Sequence, residues 1–177
     1  MQLFTRAAER AAAVMAAMAV DQLHAPTPCT EWSVQQLVDH MVGSTDYLLG
    51  ALLGGEPDPR SGAGVEDYRA GVVRVLDELD RPGALERTCM SPLGFEWTIE
   101  QATAGTFMDN LVHTWDLATA TGQDPGSDGE LVEACVAMFL PDMPERGRAA
   151  GIVGPEVAVP AGASAQDRLL GAMGRRP

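Results

Sequence analysis

Three residues of this chain could hold a metal ion together, although two segments far apart supply them. His40 lies within Leu37-Val38-Asp39-His40-Met41-Val42, and the other two lie within Asp109-Asn110-Leu111-Val112-His113-Thr114-Trp115-Asp116. Asp109 and His113 are four residues apart in a stretch with helical apolar spacing, so their side chains leave one face about one turn apart. A second helix supplying His40 would complete a set of two imidazoles and one carboxylate. That donor set suits zinc, nickel or iron and leaves coordination positions open for chemistry. The bland reading of the same spacing is a solvated i,i+4 ion pair worth a few tenths of a kcal/mol.

Two capping boxes place these residues on helices. Ser33-Val34-Gln35-Gln36 starts a helix whose apolar residues Val34, Leu37, Val38, Met41 and Val42 share a side, and Gly54-Gly55-Glu56-Pro57 stops it after Leu53. His40 stands at the margin of that stripe and points more toward a bundle interior than toward water, where a half-buried histidine needs a partner. Thr98-Ile99-Glu100-Gln101 starts a second such helix, with Phe107, Met108, Leu111, Val112, Trp115 and Ala118 as its stripe and Thr121-Gly122 as its end. Gly105, Asp109, His113 and Asp116 run along its flank. A glycine there is expected to leave space above the metal, since Gly in a helix costs ~1 kcal/mol relative to Ala and calls for a spatial reason.

The remaining chain completes a helical bundle. A first helix is expected over 2–22, ended by the extended Pro26-Thr27-Pro28, with His24 a solvent-facing loop residue. A Pro/Gly/Ser loop spans roughly 56–64, and Val65, Tyr68, Val72, Val75, Leu76 and Leu79 mark a third helix. Residues 85–97 read as a small hairpin or extended excursion around Ser91-Pro92-Leu93-Gly94. A weaker helix over 130–140, a Gly/Pro-rich segment over 146–162 and a short helix over 164–173 finish the chain. The fold class is all-α, and one domain spanning 1–177 is expected from a length of 177 residues with 46% hydrophobic content.

Composition narrows the functions. A formal net charge of -13 repels phosphate backbones and anionic surfaces, so neither nucleic acid nor a membrane is expected as a partner. All twelve basic residues are arginine; without lysine there is no Schiff-base chemistry and no Walker-type phosphate loop. Cys29, Cys89 and Cys135 follow no metal-ligand spacing and are odd in number, which fits a reducing cytoplasm. The alanine-rich run over 11–20 is too short for a membrane span and belongs to an amphipathic helix. Abundant alanine, glycine and arginine with a single asparagine, Asn110, suggest an actinobacterial, GC-rich genome.

Thr27-Pro28-Cys29-Thr30-Glu31-Trp32-Ser33-Val34, then His40, then the run from His113-Thr114-Trp115-Asp116 to Thr121-Gly122, resemble a known pattern over nearly the whole chain. It is that of single-domain actinobacterial proteins built on the N-terminal domain of mycothiol-dependent maleylpyruvate isomerase, within the DinB-like (YfiT-like) metalloenzyme superfamily. The resemblance implies a DinB-like four-helix bundle with a divalent metal at one end, held by His40, Asp109 and His113. Zinc is the first choice, with nickel or iron as alternatives. Many relatives carry glutamate where this chain has Asp109. Asp116 belongs to the motif and is expected either to orient the His113 ring from behind the ligands or to serve as a surface acid completing a helix-end hydrogen bond. Trp32 and Trp115 are expected in the core. Cys29 is read as a small buried residue fixing its turn, against an activated thiol before a helix N-terminus.

The activity implied is that of a thiol-dependent transferase or isomerase, in which the metal activates a low-molecular-weight thiol such as mycothiol toward a small electrophile. Two alternatives stand beside it: a metal-binding helical bundle without catalysis, acting as a sensor or interaction module, and a metal-assisted hydrolase. The second domain of the true isomerase is missing from this sequence, which counts against isomerisation. The expected partners are a thiol and an electrophile, and a homodimer is compatible.

Overall fold

Ser33 and Thr98, polar residues in extended backbone, begin the two helices that carry the candidate ligands. Ser33 Oγ accepts from the Gln36 amide while Gln36 Oε1 accepts from the Ser33 amide at 3.0 Å. Thr98 and Gln101 repeat the reciprocal pair at 3.2 and 2.9 Å. Both helices stop at a glycine in the left-handed region, Gly54 (φ 77°) and Gly122 (φ 70°), where a side chain would be strained. The expected starts and stops of both helices thus hold.

The computed structural model describes residues 1–29, 32–55 and 61–177, so the expected loop over 56–64 falls mostly outside the described residues. Helices α1 (Gln2–Ala16), α2 (Val34–Leu53), α3 (Val65–Leu79) and α4 (Ile99–Thr121) precede α5 (Gly129–Phe139), α6 (Asp142–Ala149) and α7 (Ala165–Ala172). A hairpin of β1 (Thr88–Met90) and β2 (Glu96–Thr98), with Cys89 opposite Trp97, stands between α3 and α4. The chain divides into two compact units, Met1–Gln123 and Asp124–Pro177.

In the first unit α1 packs on α4 and α3, and α2 packs on α3 and α4, which is the all-α bundle expected. Its core joins Ala8, Ala11, Val14 and Met15 of α1 to Leu37, Val38, Met41 and Val42 of α2, Tyr68 of α3, and Leu117 and Ala118 of α4. Helix α4 is the central element, buried at every position from Asn110 to Ala118. Gly71 of α3 lies against Thr45 of α2, so an added Cβ there would overlap the threonine side chain. Asp39 Oδ1 accepts from the Ala63 amide at 2.7 Å and from Gln35 Nε2 at 3.0 Å, tying α2 to the approach to α3.

The first helix ends at Ala16 instead of running to residue 22. A short 3-10 turn over Val20–Gln22 follows, in which the Gln22 side chain accepts from the Ala19 amide and donates to the Thr121 carbonyl at 3.0 Å. That contact turns the chain back toward the end of α4.

The second unit holds α5, α6 and α7. The part of the expected Gly/Pro-rich segment before Ala150 is helical, because α6 runs through Arg146 to Ala149. Arg148 donates to the Ala172 carbonyl at 2.7 Å, and the Val157 amide to the Gly171 carbonyl at 2.9 Å, where a Cβ on Gly171 would come within 2.6 Å of the Val157 oxygen. Burial pushes the Cys135 thiol of α5 up to about 12, so it is an inert apolar residue. Among the described residues, no helix is long and apolar enough to cross a membrane.

Candidate metal centre

Asp109 and His113, on successive turns of α4, meet His40 from α2. His40 Nε2 lies 3.2 Å and His113 Nε2 3.3 Å from the same oxygen, Asp109 Oδ1. One ligand atom from each of the three residues lies within 4.8 Å of the other two. The second carboxylate oxygen is already engaged: Ser44, one turn after His40, donates to Asp109 Oδ2 at 2.9 Å. On the far side of the ring, His113 Nδ1 lies 2.9 Å from Asp116 Oδ2. A carboxylate only accepts, so Nδ1 carries the proton and Nε2 is the atom presented to the centre. Of the two expectations for Asp116, the surface role fails, because its side chain has no exposed surface and it binds the ring.

Aromatic contacts fix the ring planes. Trp32 stacks on His40 with ring centroids 4.4 Å apart and tilted by 31°, and lies 5.7 Å from the His113 ring. The two imidazoles meet edge to face at 4.9 Å. Trp32 is half-buried, packing against the core and stacking on the site, whereas the sequence placed it in the core alone. Trp115 is buried as expected. The His40 and Asp109 side chains keep 33% and 25% of their surface accessible and His113 only 9%, so the centre opens on the side of His40 and Asp109.

Charge and proton binding follow from this packing. Burial raises the Asp109 carboxyl, but the charges of His113 and His40 and their hydrogen bonds outweigh it and hold the group well below the usual carboxylate range. Burial lowers His113, and here Asp109 and then Asp116 prevail, raising it to about 9. A protonated His113 therefore faces an ionised Asp109 at neutral pH. The Tyr68 hydroxyl of α3 is pushed up strongly by burial and then by the Asp109 charge, with Asn110 opposing.

Gly105 does something other than expected. A Cβ there would lie 2.9 Å from Cη2 and 3.3 Å from Cζ3 of Trp97, so the missing side chain admits an indole from the hairpin instead of opening space over the ligands. Trp97 Nε1 donates to Tyr47 Oη at 2.9 Å, and Tyr47 donates to the Met90 carbonyl at 2.8 Å, which pins the hairpin to α2.

Sequence reading missed Ser44 and the facing role of Trp32. Ser44 was visible at i+4 from His40; the Trp32 contact depends on how α2 and α4 pack together and carries no local signal.

All four of His40, Asp109, His113 and Asp116 fall within the part of the chain, residues 4–118, that matches the family described as the mycothiol maleylpyruvate isomerase N-terminal domain. The chain belongs to that family. Two uncharacterized proteins of Mycobacterium tuberculosis, from strains CDC 1551 / Oshkosh and ATCC 25618 / H37Rv, are each 35% identical to it over 127 residues, 71% of this chain and 69% of the relative. No solved structure matches it significantly.

The donor set fits the divalent ion that the sequence resemblance implies. Bonds of about 2.0–2.2 Å in a tetrahedral zinc site put neighbouring nitrogen and oxygen ligands about 3.3–3.6 Å apart. The two N···O separations here, 3.2 and 3.3 Å, lie within about 0.1 Å of the short end of that spacing.

Proposed function

We propose that this chain binds one divalent metal ion, zinc in the first instance, through His40, Asp109 and His113, and serves to activate a low-molecular-weight thiol of the mycothiol type toward a small electrophile. The observation that carries this reading is the convergence of both Nε2 atoms on Asp109 Oδ1, with the other carboxylate oxygen and the other His113 nitrogen held by Ser44 and Asp116. Family membership supports the thiol as co-substrate.

When bound, the ion supplies Lewis acidity that favours the ionised form of a thiol at an open coordination position. Asp116 holds the Nδ1 proton of His113, so the ring offers Nε2 and does not rotate away. Ser44 occupies Asp109 Oδ2 and leaves Oδ1 to face the rings. Trp32 covers one side of the imidazole pair and excludes water from it, while the accessible side of His40 and Asp109 admits the co-substrate.

Cobalt substitution tests the proposal. Mycothiol added to the cobalt form near neutral pH is expected to produce a sulfur-to-metal charge-transfer band, and thiol consumption with generic electrophiles is expected to saturate and to require metal. Metal bound in the wild-type protein without such a band at saturating thiol would overturn the thiol reading.

A further inference from the structure

The thiol of Cys29 lies near His113 and Asp116. One ligand atom each from Cys29, His113 and Asp116 lies within 4.8 Å of the other two. This group shares a single residue, His113, with the group of His40, Asp109 and His113. The sharing is chemically reasonable because an imidazole has two ligand atoms: Nε2 faces Asp109 at 3.3 Å and Nδ1 faces Asp116 at 2.9 Å.

We propose that Cys29, His113 and Asp116 form a second donor set that takes a thiophilic divalent ion, of which cadmium and zinc are examples, independently of His40. The charge of the set favours it. Thiolate and carboxylate together neutralise a dication, whereas the His40 set with its one carboxylate leaves a net positive centre, and a buried site rewards neutrality. Asp116 is wholly buried while Cys29 is half-exposed, so an ion has an approach on the cysteine side and a fixed anion behind it. The soft sulfur ligand selects against magnesium and calcium, which prefer oxygen.

The geometry needs only a modest adjustment. Zinc bonds of about 2.3 Å to sulfur and about 2.0–2.2 Å to nitrogen and oxygen put ligand atoms about 3.3–3.8 Å apart, so the donors must close by at most about 1.5 Å. His113 and Asp116 part slightly as the ion replaces the proton between them. Binding releases that proton and the Cys29 thiol proton to solvent, and no electron transfer is involved. This second set uses ligand atoms of the chain alone and needs no small thiol.

Cadmium titration of the full chain, with no small thiol present, tests it. The wild-type protein is expected to show an ultraviolet sulfur-to-cadmium band saturating at one ion per chain. Cys29→Ser is expected to abolish the band, and its far-ultraviolet circular dichroism serves to establish that it is folded. His40→Ala and Asp109→Ala, which dismantle the other set, are expected to retain it, as is the Cys89→Ser, Cys135→Ser double variant. Absence of the band in the wild type, or its persistence in Cys29→Ser, would overturn the proposal. Loss of the band in both His40→Ala and Asp109→Ala would also overturn it, since the cysteine would then be completing the first set.

Discussion

Asp109 is the residue on which both imidazoles turn, and its two oxygens have different duties. Oδ1 faces His40 and His113, and Oδ2 takes the Ser44 hydroxyl. Hydrogen bonds to charged groups contribute about 1.5–3 kcal/mol, so Ser44→Ala is expected to weaken metal binding by roughly tenfold or more while leaving the ligands in place. Removing the charge behind His113 acts through the ring: Asp116→Asn is expected to lower metal affinity by about 10- to 100-fold. Competition against a chromophoric chelator measures both, and unchanged affinity in Asp116→Asn would remove Asp116 from the site. His40, Asp109 and His113 were visible as ligand types at helical spacing, and Asp116 as part of the same motif. The shared approach to one oxygen was not visible, because it depends on how α2 and α4 pack.

At the scale of elements, the hairpin and α4 interlock through Trp97 and Gly105. Gly105→Ala forces the indole or the helix to move, and overpacking of this kind costs about 1–3 kcal/mol. Urea denaturation is expected to show that loss while metal stoichiometry stays at the wild-type value. The opposite pattern, full stability with impaired metal binding, would return Gly105 to the space above the ligands. Ser33→Ala removes the side-chain cap of α2 and is expected to cost ~1 kcal/mol by the same assay. Capping boxes and stop glycines made α2 and α4 legible to the residue. The end of α1 was not, since the turn that follows it is held by a bond from Gln22 to Thr121, 99 positions away. Likewise the glycine reads as a gap in sequence but faces an aromatic ring supplied by another element.

For the whole molecule, the buried apolar stripes hold the first unit together without help from a metal, so His113→Ala is expected to fold and to lose metal. The bundle itself was readable from periodicity, whereas the division at Gln123 carries no composition shift that would announce it. Proton linkage gives the metal-free protein a defined pH response. The depressed Asp109 contributes stability above its ordinary pKa near 4 that is lost as pH falls through its folded value. The raised His113 contributes stability fully present below about 6.5 that is lost as pH rises toward about 9. Metal competes with the His113 proton, so the melting-temperature increment from saturating zinc is expected to grow between pH 6 and 9 even as the metal-free protein weakens. An increment that shrinks over that range would contradict the assigned ligands. The most direct test of the thiol-activating centre is zinc X-ray absorption on the Cys29→Ser protein before and after mycothiol. Two imidazoles and oxygen ligands are expected at first, and then one sulfur at about 2.3 Å. A shell without imidazole, or one that saturating thiol leaves unchanged, would contradict it.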